Sequence, residues 1–329
     1  MNFTAVNQTD DCFYYTCPER SLSTAVYVLL CMSLTSVVLV TVCGNLIIII
    51  SVCHFKQLHT PTNMLILSLA VSDFLIGVFV MPPALLQLIE SCWIFTRVFC
   101  ALYLLTGYFF TSVSIYNVAL IAVDRYFALS NPFLYTKTVS VSIMCIVVLC
   151  NWGVWLSYNI TLQYPNFKSI GRAVCSRGCF HVLNDVWSVV DILLSFVFPL
   201  SVIIILYTLV FFIAKKHVTA IRELKSHTRT QTSKNMTHSM KSERKAAKVL
   251  GILVSVFVAC LLPYFLYSVL GSVVEIEEES LHKFFLLLYL NSAINPVIYA
   301  LFYPWFRKSV KVILTLRILS TDSSLIHIL

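Results

Sequence analysis

The chain has 329 residues, of which 59% are apolar and only 12% charged, and its mean hydropathy is +0.86. A soluble globule carries about 25% charged residues because its surface faces water, so half of that supply is missing. This excludes a disordered chain, a soluble enzyme and, despite a net charge of +8, a nucleic-acid-binding module; much of the surface must face lipid.

A helix crosses a bilayer with roughly 20 mostly apolar residues. Seven stretches meet that requirement: 25–52, 64–88, 99–129, 141–161, 186–214, 247–270 and 284–303. About 20 polar residues precede the first, so it reads as a span and not as a signal peptide. No repeat of equal-length units is present and glycine totals only 8, so a β-barrel or solenoid finds no support. The expected fold is an all-α membrane protein, a seven-transmembrane helix bundle with a short amphipathic eighth helix. Residues 1–23 form an outer N-terminus, 24–304 the bundle, and 305–329 the amphipathic helix and cytoplasmic tail.

Charge orients the bundle. With the N-terminus outside, the inner segments hold 16 of the 23 Lys and Arg against three acids. The outer segments hold six against nine acids. This is the asymmetry of the positive-inside bias, so the basic balance reports topology and contact with anionic lipid, and no nucleic acid. The triplets at Asn2 and Asn7 are glycosylation acceptors on the outer N-terminus. Six of the 12 cysteines (Cys12, Cys17, Cys92, Cys100, Cys175 and Cys179) fall in outer segments. An even set in an oxidising compartment points to three disulfides, with 15 pairings open.

A carboxylate in mid-membrane costs about 2.5–3.5 kcal/mol or more, so each one is a functional hypothesis. Asp73 lies in the second stretch, and Asn45, Ser114, Asn291, Ser292 and Asn295 sit at comparable depth on other stretches. Such a set suits a hard cation such as sodium, or a water-filled hydrogen-bond network. Asp124-Arg125 closes the third stretch. Asp191 sits near the outer end of the fifth, about two turns above Pro199, with apolar neighbours in sequence. Apart from Arg125 and Lys248 at the inner ends, no Lys or Arg occurs inside any stretch to neutralise it. Such an acid is protonated and hydrogen-bonded, faces water, or takes its cation from a ligand; a ligand ammonium is the economical partner. Acidic residues at 275–279 either concentrate cations at the entrance or form a solvated loop.

Further motifs stand in order along the chain. Gly44-Asn45 lies in the first stretch, Leu69-Ala70-Val71-Ser72-Asp73 in the second, Asp124-Arg125-Tyr126 in the third and Trp152 in the fourth. Pro199 and Tyr207 mark the fifth, Pro263 the sixth and Asn295-Pro296-Val297-Ile298-Tyr299 the seventh. Together they resemble the rhodopsin-like G-protein-coupled receptors over essentially the whole chain. From Asn291 to Phe306 the seventh stretch also fits N-S-x-x-N-P-x-x-Y-x-x-x-Y-x-W-F, which resembles the trace amine-associated receptors.

The resemblance implies a receptor for volatile or biogenic amines of the olfactory type, coupled to a stimulatory or olfactory heterotrimeric G protein that raises cAMP. It also implies a multi-pass protein of the plasma membrane with no cofactor, sodium acting at most as an allosteric ion. The extra outer cysteines look like the same family, in which the N-terminus is tied to the outer loops. Cys100 and Cys179 are then one pair, and the pairing of Cys12 and Cys17 with Cys92 and Cys175 stays open. Amine receptors usually present an aspartate seven residues after the helix-three cysteine, here position 107, which is glycine. Some branches of the trace amine family carry an aspartate on the fifth helix instead, and Asp191 stands at that place. In the sixth helix Leu261 replaces the family's usual tryptophan.

The expected ligand site is Asp191 with Tyr108, Thr111, Trp187, Ser188, Tyr264, Phe265 and Tyr289, a carboxylate among aromatic faces. The expected cation site is Asp73, Ser114, Asn291 and Asn295. For switching, family positions make Arg125 and Glu243 an inactive-state clamp beside Asp124. Pro199, Ile115 and Phe257 match an apolar connector, and Tyr207 and Tyr299 match the active-state tyrosines. The stretch 305–319, with Arg307, Lys308, Lys311 and Arg317 among apolar residues, reads as an amphipathic helix on the inner leaflet. A retinal pump would need a lysine within the seventh stretch, and a transporter internal repeats; neither is present. A receptor for a peptide or lipid is the remaining alternative, favoured by the missing helix-three aspartate.

Overall fold

The computed structural model describes residues 23–90, 93–173, 179, 185–227, 251–252, 255–266, 278–319 and 328. Asn2, Asn7, Cys12, Cys17, Cys92, Cys175, Glu243 and the 275–277 part of the acidic segment lie outside the described residues.

Every regular element among the described residues is helical. The first helix, Thr24–His54, is apolar all round but buries a narrow stripe: Thr41, Asn45, Ile48, Ser51 and Val52. Their spacing of three and four places them on one face, while Leu29, Met32 and Leu39 on the rest of the surface are exposed. That pattern suits a helix with one side on a bundle and the other on lipid. The first five helices are each long and apolar enough to span a membrane. Shorter described apolar stretches, Ser255–Leu266 and Leu287–Phe302, stand where the sixth and seventh spans are expected.

The second helix, Pro61–Glu90, starts on Thr60, whose side chain accepts from the Asn63 N–H, with Pro61 in the first turn. Its turn Ile76–Val80 is wound as a π-helix just ahead of Pro82 and Pro83. A proline has no N–H for the carbonyl four residues back and its ring crowds that carbonyl, so the turn widens. The third helix, Arg97–Ser130, begins on Thr96, which accepts from the Phe99 N–H. It is the central post, lying against the second, fourth and fifth helices. A Cys100–Cys179 disulfide ties its outer end to the segment after the fourth helix across 79 residues.

The fourth helix, Val141–Ala173, faces mostly outward. It is fastened by the Trp152 indole N–H, which donates to Ser68 Oγ at 2.9 Å. Ser68 in turn donates to Asn117 Oδ1 at 3.0 Å, linking helices two, three and four. The fifth runs from Asp185–Ile192 through a π turn, Leu193–Val197, into Phe198–His227. Pro199 sits just past that turn, and Tyr116 of the third helix donates to the Leu194 carbonyl at 2.9 Å. A carbonyl in the widened turn is thus satisfied from another helix. The seventh helix, Glu278–Phe302, carries Pro296 in its interior.

The amphipathic helix is shorter than the sequence suggests, Pro304–Leu314 instead of 305–319. Thr315 closes it by donating both its N–H and its hydroxyl to the Lys311 carbonyl. Leu316 then takes a left-handed conformation (φ 55°), and a 3-10 turn, Arg317–Leu319, follows. Trp305, Phe306 and Ser309 face the bundle while Arg307, Lys308 and Lys311 are exposed.

Candidate ligand site and switch residues

Asp191 is partly buried on the outer part of the fifth helix, just ahead of the π bulge at Leu193–Val197. The bulge adds one residue to its turn, which rotates the helix above it by about 100° relative to the part below. Two hydroxyls reach the carboxylate. Tyr158 of the fourth helix donates to Asp191 Oδ1 at 3.1 Å, and Ser195 donates to the same oxygen at 2.9 Å. Oδ2 receives no hydrogen bond among the described residues, and no Lys, Arg or His there forms an ion pair with Asp191.

Four tyrosines of helices three, six and seven cluster together. Tyr103 and Tyr289, from the third and seventh helices, share a hydroxyl contact at 3.3 Å. Tyr108 and Tyr264, from the third and sixth, are close to each other and to Asp191. Thr111 lies one turn further along and is partly buried. Ser188 is partly buried and Trp187, one turn above Asp191 on the same helix, is 42% exposed. Phe265 is 6% exposed and stacks face to face on Phe196 at 3.9 Å, so it joins helices five and six. Gly107 leaves room: a Cβ there would touch only Val80 Cγ1, at 3.4 Å. A cavity of about 370 Å³ opens between helices three, four and five, with Tyr116, Asn151, Trp155, Tyr158 and Leu194 in its wall. None of the residues expected at the ammonium site lines it.

Asp73 is fully buried. Ser114 and Ser292 donate to its Oδ1 at 2.9 and 2.8 Å, and Asn295 donates its amide to Oδ2 at 2.7 Å. Helices two, three and seven therefore meet on one carboxylate. Asn45 is not a direct partner; it binds the Thr41 and Ser292 carbonyls at 2.9 and 3.1 Å. Asn291 is buried nearby but does not donate to Asp73. One carboxylate with two hydroxyl oxygens fits a singly charged hard cation. Asn295 presents nitrogen to the carboxylate, so its oxygen is turned away from Asp73. Among the described residues no cluster of three or more His, Cys, Asp or Glu is present to hold a transition metal.

At the inner end, Arg125 turns onto its own neighbour. Its Nε donates to Asp124 Oδ2 at 3.0 Å, and its Nη2 donates to the Thr62 hydroxyl. Thr62 donates in turn to Asp124 Oδ2 at 2.8 Å, and Tyr135, in the loop helix Pro132–Thr138, donates to Oδ1 at 2.7 Å. Burial first, and the Asp124 carboxylate second, push the Tyr135 phenol above its usual range, so it keeps the proton it donates. Tyr299 is buried, and the Tyr207 hydroxyl is buried with no hydrogen-bond partner among the described residues. Ile115, Phe257 and Pro199 are buried, the first two in one apolar core.

Sequence reasoning missed Tyr158, Ser195, Tyr103, Thr62 and Tyr135. Ser195 carried a readable signal, four residues after Asp191 and so on the same helical face. The others meet their partners only across helices, where no spacing rule applies.

Residues 44–299 match the family described as 7 transmembrane receptor (rhodopsin family). The chain is similar to trace amine-associated receptor 13c of Danio rerio, 40% identical over 316 residues, covering 94% of this chain and 91% of that protein. It is 40% identical to trace amine-associated receptor 8b of Mus musculus over 293 residues, covering 86% and 85%. It is 34% identical to trace amine-associated receptor 4 of Rattus norvegicus over 316 residues, covering 94% and 91%.

Proposed function

This chain belongs to the trace amine-associated receptors, within the rhodopsin family of seven-transmembrane receptors, and from that membership we propose that it detects amines through Asp191. The reading rests above all on one observation: an acid inside a span accepts two hydroxyl donors on one oxygen and, among the described residues, has no cationic side chain paired with it. An ammonium ion supplies the missing charge. Aromatic faces nearby add cation–π attraction, worth about 0.5–2 kcal/mol depending on desolvation. Tyr103, Tyr108, Tyr264 and Tyr289 come from three helices, so a ligand touching them bears on how those helices pack, which is what biasing a receptor between two states requires.

The receptor sits in the plasma membrane with its N-terminus outside, as the charge asymmetry of the loops supports. Amine binding opens the inner face to a stimulatory or olfactory G protein and raises cAMP. The basic segment from Lys215 to Lys248 flanks the groove that receives a helix of that partner. The Asp73, Ser114 and Ser292 oxygens would hold a sodium ion, whose positive charge would help to keep helices two, three and seven together.

The test is Asp191→Asn in cells with a cAMP reporter and matched surface expression, against a panel of primary, tertiary and diamine ligands. Losing one partner of a buried charge pair costs roughly 2–5 kcal/mol, so responses vanish at concentrations that saturate the parent. Unchanged dose-response curves for the best amine would show that the anchor lies elsewhere.

A further inference from the structure

We infer that Tyr158 is a specificity-determining residue: with Ser195 it occupies one oxygen of the Asp191 carboxylate, leaving a single oxygen for the ligand and so favouring an ammonium ion with one N–H over one with three. The inference rests on the amine reading of Asp191 and adds the class of amine and the residue that selects it.

A carboxylate has two oxygens and about four lone-pair positions. Tyr158 and Ser195 both donate to Oδ1, at 3.1 and 2.9 Å, which takes up that oxygen's acceptor capacity. Oδ2 remains. A tertiary ammonium has one N–H, which Oδ2 satisfies fully. A primary ammonium has three, one more than the two lone pairs of Oδ2 accept, and in a desolvated site an unpaired donor carries a penalty. Methylated ammonium ions are also well matched to aromatic walls. Sterically Tyr158 is held on its own account: its ring meets Trp155 edge-on at 5.2 Å. Tyr158→Phe therefore removes the hydroxyl while keeping the packing.

The experiment compares alkyl and arylalkyl amines, each as the primary amine and as its N,N-dimethyl derivative, with benzylamine and N,N-dimethylbenzylamine as the reference pair. The parent responds at lower concentration to the dimethyl member of each active pair. Tyr158→Phe frees one lone pair of Oδ1 for the third N–H, so the primary-to-dimethyl ratio of half-maximal concentrations moves about three- to tenfold toward the primary amine. That range is the weight of one hydrogen bond. Ser195→Ala moves it in the same direction. A variant that loses potency equally for both members, or leaves the ratio unchanged, assigns Tyr158 a packing role and overturns the inference. Asp191→Asn, run alongside, separates the two ideas. If it leaves all responses intact, or if the whole panel is silent on the parent, the amine reading falls and takes the inference with it. If it abolishes them while the Tyr158→Phe ratio stays put, only the selectivity idea falls.

Discussion

Gly44 of the first helix packs so closely on Pro296 of the seventh that a Cβ at position 44 would stand 2.6 Å from the proline Cβ and 2.8 Å from its Cγ. The ring of Pro296 is rigid and lies inside a helix that also supplies Ser292 and Asn295 to Asp73. Neither side can give way locally.

Gly44→Ala is therefore expected to push the first and seventh helices apart, at an overpacking cost of about 1–3 kcal/mol. In detergent the melting temperature of the purified receptor falls by several degrees and surface expression drops. An unchanged melting curve would mean that the two helices are less tightly apposed than this contact requires.

Thr62 tethers Arg125 to the second helix while donating to Asp124. Thr62→Val keeps the side-chain shape and removes both contacts. A hydrogen bond to a charged group contributes about 1.5–3 kcal/mol, and 1.4 kcal/mol is tenfold in an equilibrium. If this arrangement belongs to the resting state, ligand-independent cAMP rises several-fold at matched surface expression. Basal signalling equal to the parent would show that Arg125 is restrained elsewhere, and Glu243→Gln is the next variant to compare.

Position 107 has space for a side chain, with Val80 Cγ1 in ordinary contact at 3.4 Å. Gly107→Asp places a carboxylate on the third helix, seven residues after Cys100. Combined with Asp191→Asn, it is expected to restore a response to amines that the single Asp191→Asn variant has lost. Continued silence in a double variant that reaches the surface would show that the pocket around Asp191 supplies more than a charge.

Asp73 receives three donors on two oxygens. Asp73→Asn leaves one acceptor oxygen for them and turns an amide nitrogen toward donors, so it loosens the junction of helices two, three and seven as well as removing the charge for a cation. Replacing sodium with N-methylglucamine at constant ionic strength is expected to shift amine potency in the parent and not in Asp73→Asn. The same sodium dependence in both places the ion elsewhere, and no dependence in the parent removes the cation from the account.

Much of this was legible from residue type. The spans follow from apolar runs because only a helix satisfies its own backbone in lipid, and the five full-length helices enclose the runs read from sequence. Asp73 and Asp191 stood out because acids are costly there. The positive φ at Leu316 and the early end of the amphipathic helix were not legible: no glycine or proline marks the stop, and Lys311 and Thr315 settle it through local hydrogen bonds.

The linear order of residues was sufficient for the membrane class, the family and the two acids within spans, since each depends on composition or on fixed motifs. It could not say which oxygen of Asp191 is occupied, that Tyr158 occupies it, or that Arg125 leans on Thr62. Those pairings join different helices, and the π turns near Pro82 and Pro199 change the direction each helix face points. Only the packed bundle decides them, because a rotation of about 100° moves a side chain from lipid to a neighbouring helix without altering a single residue.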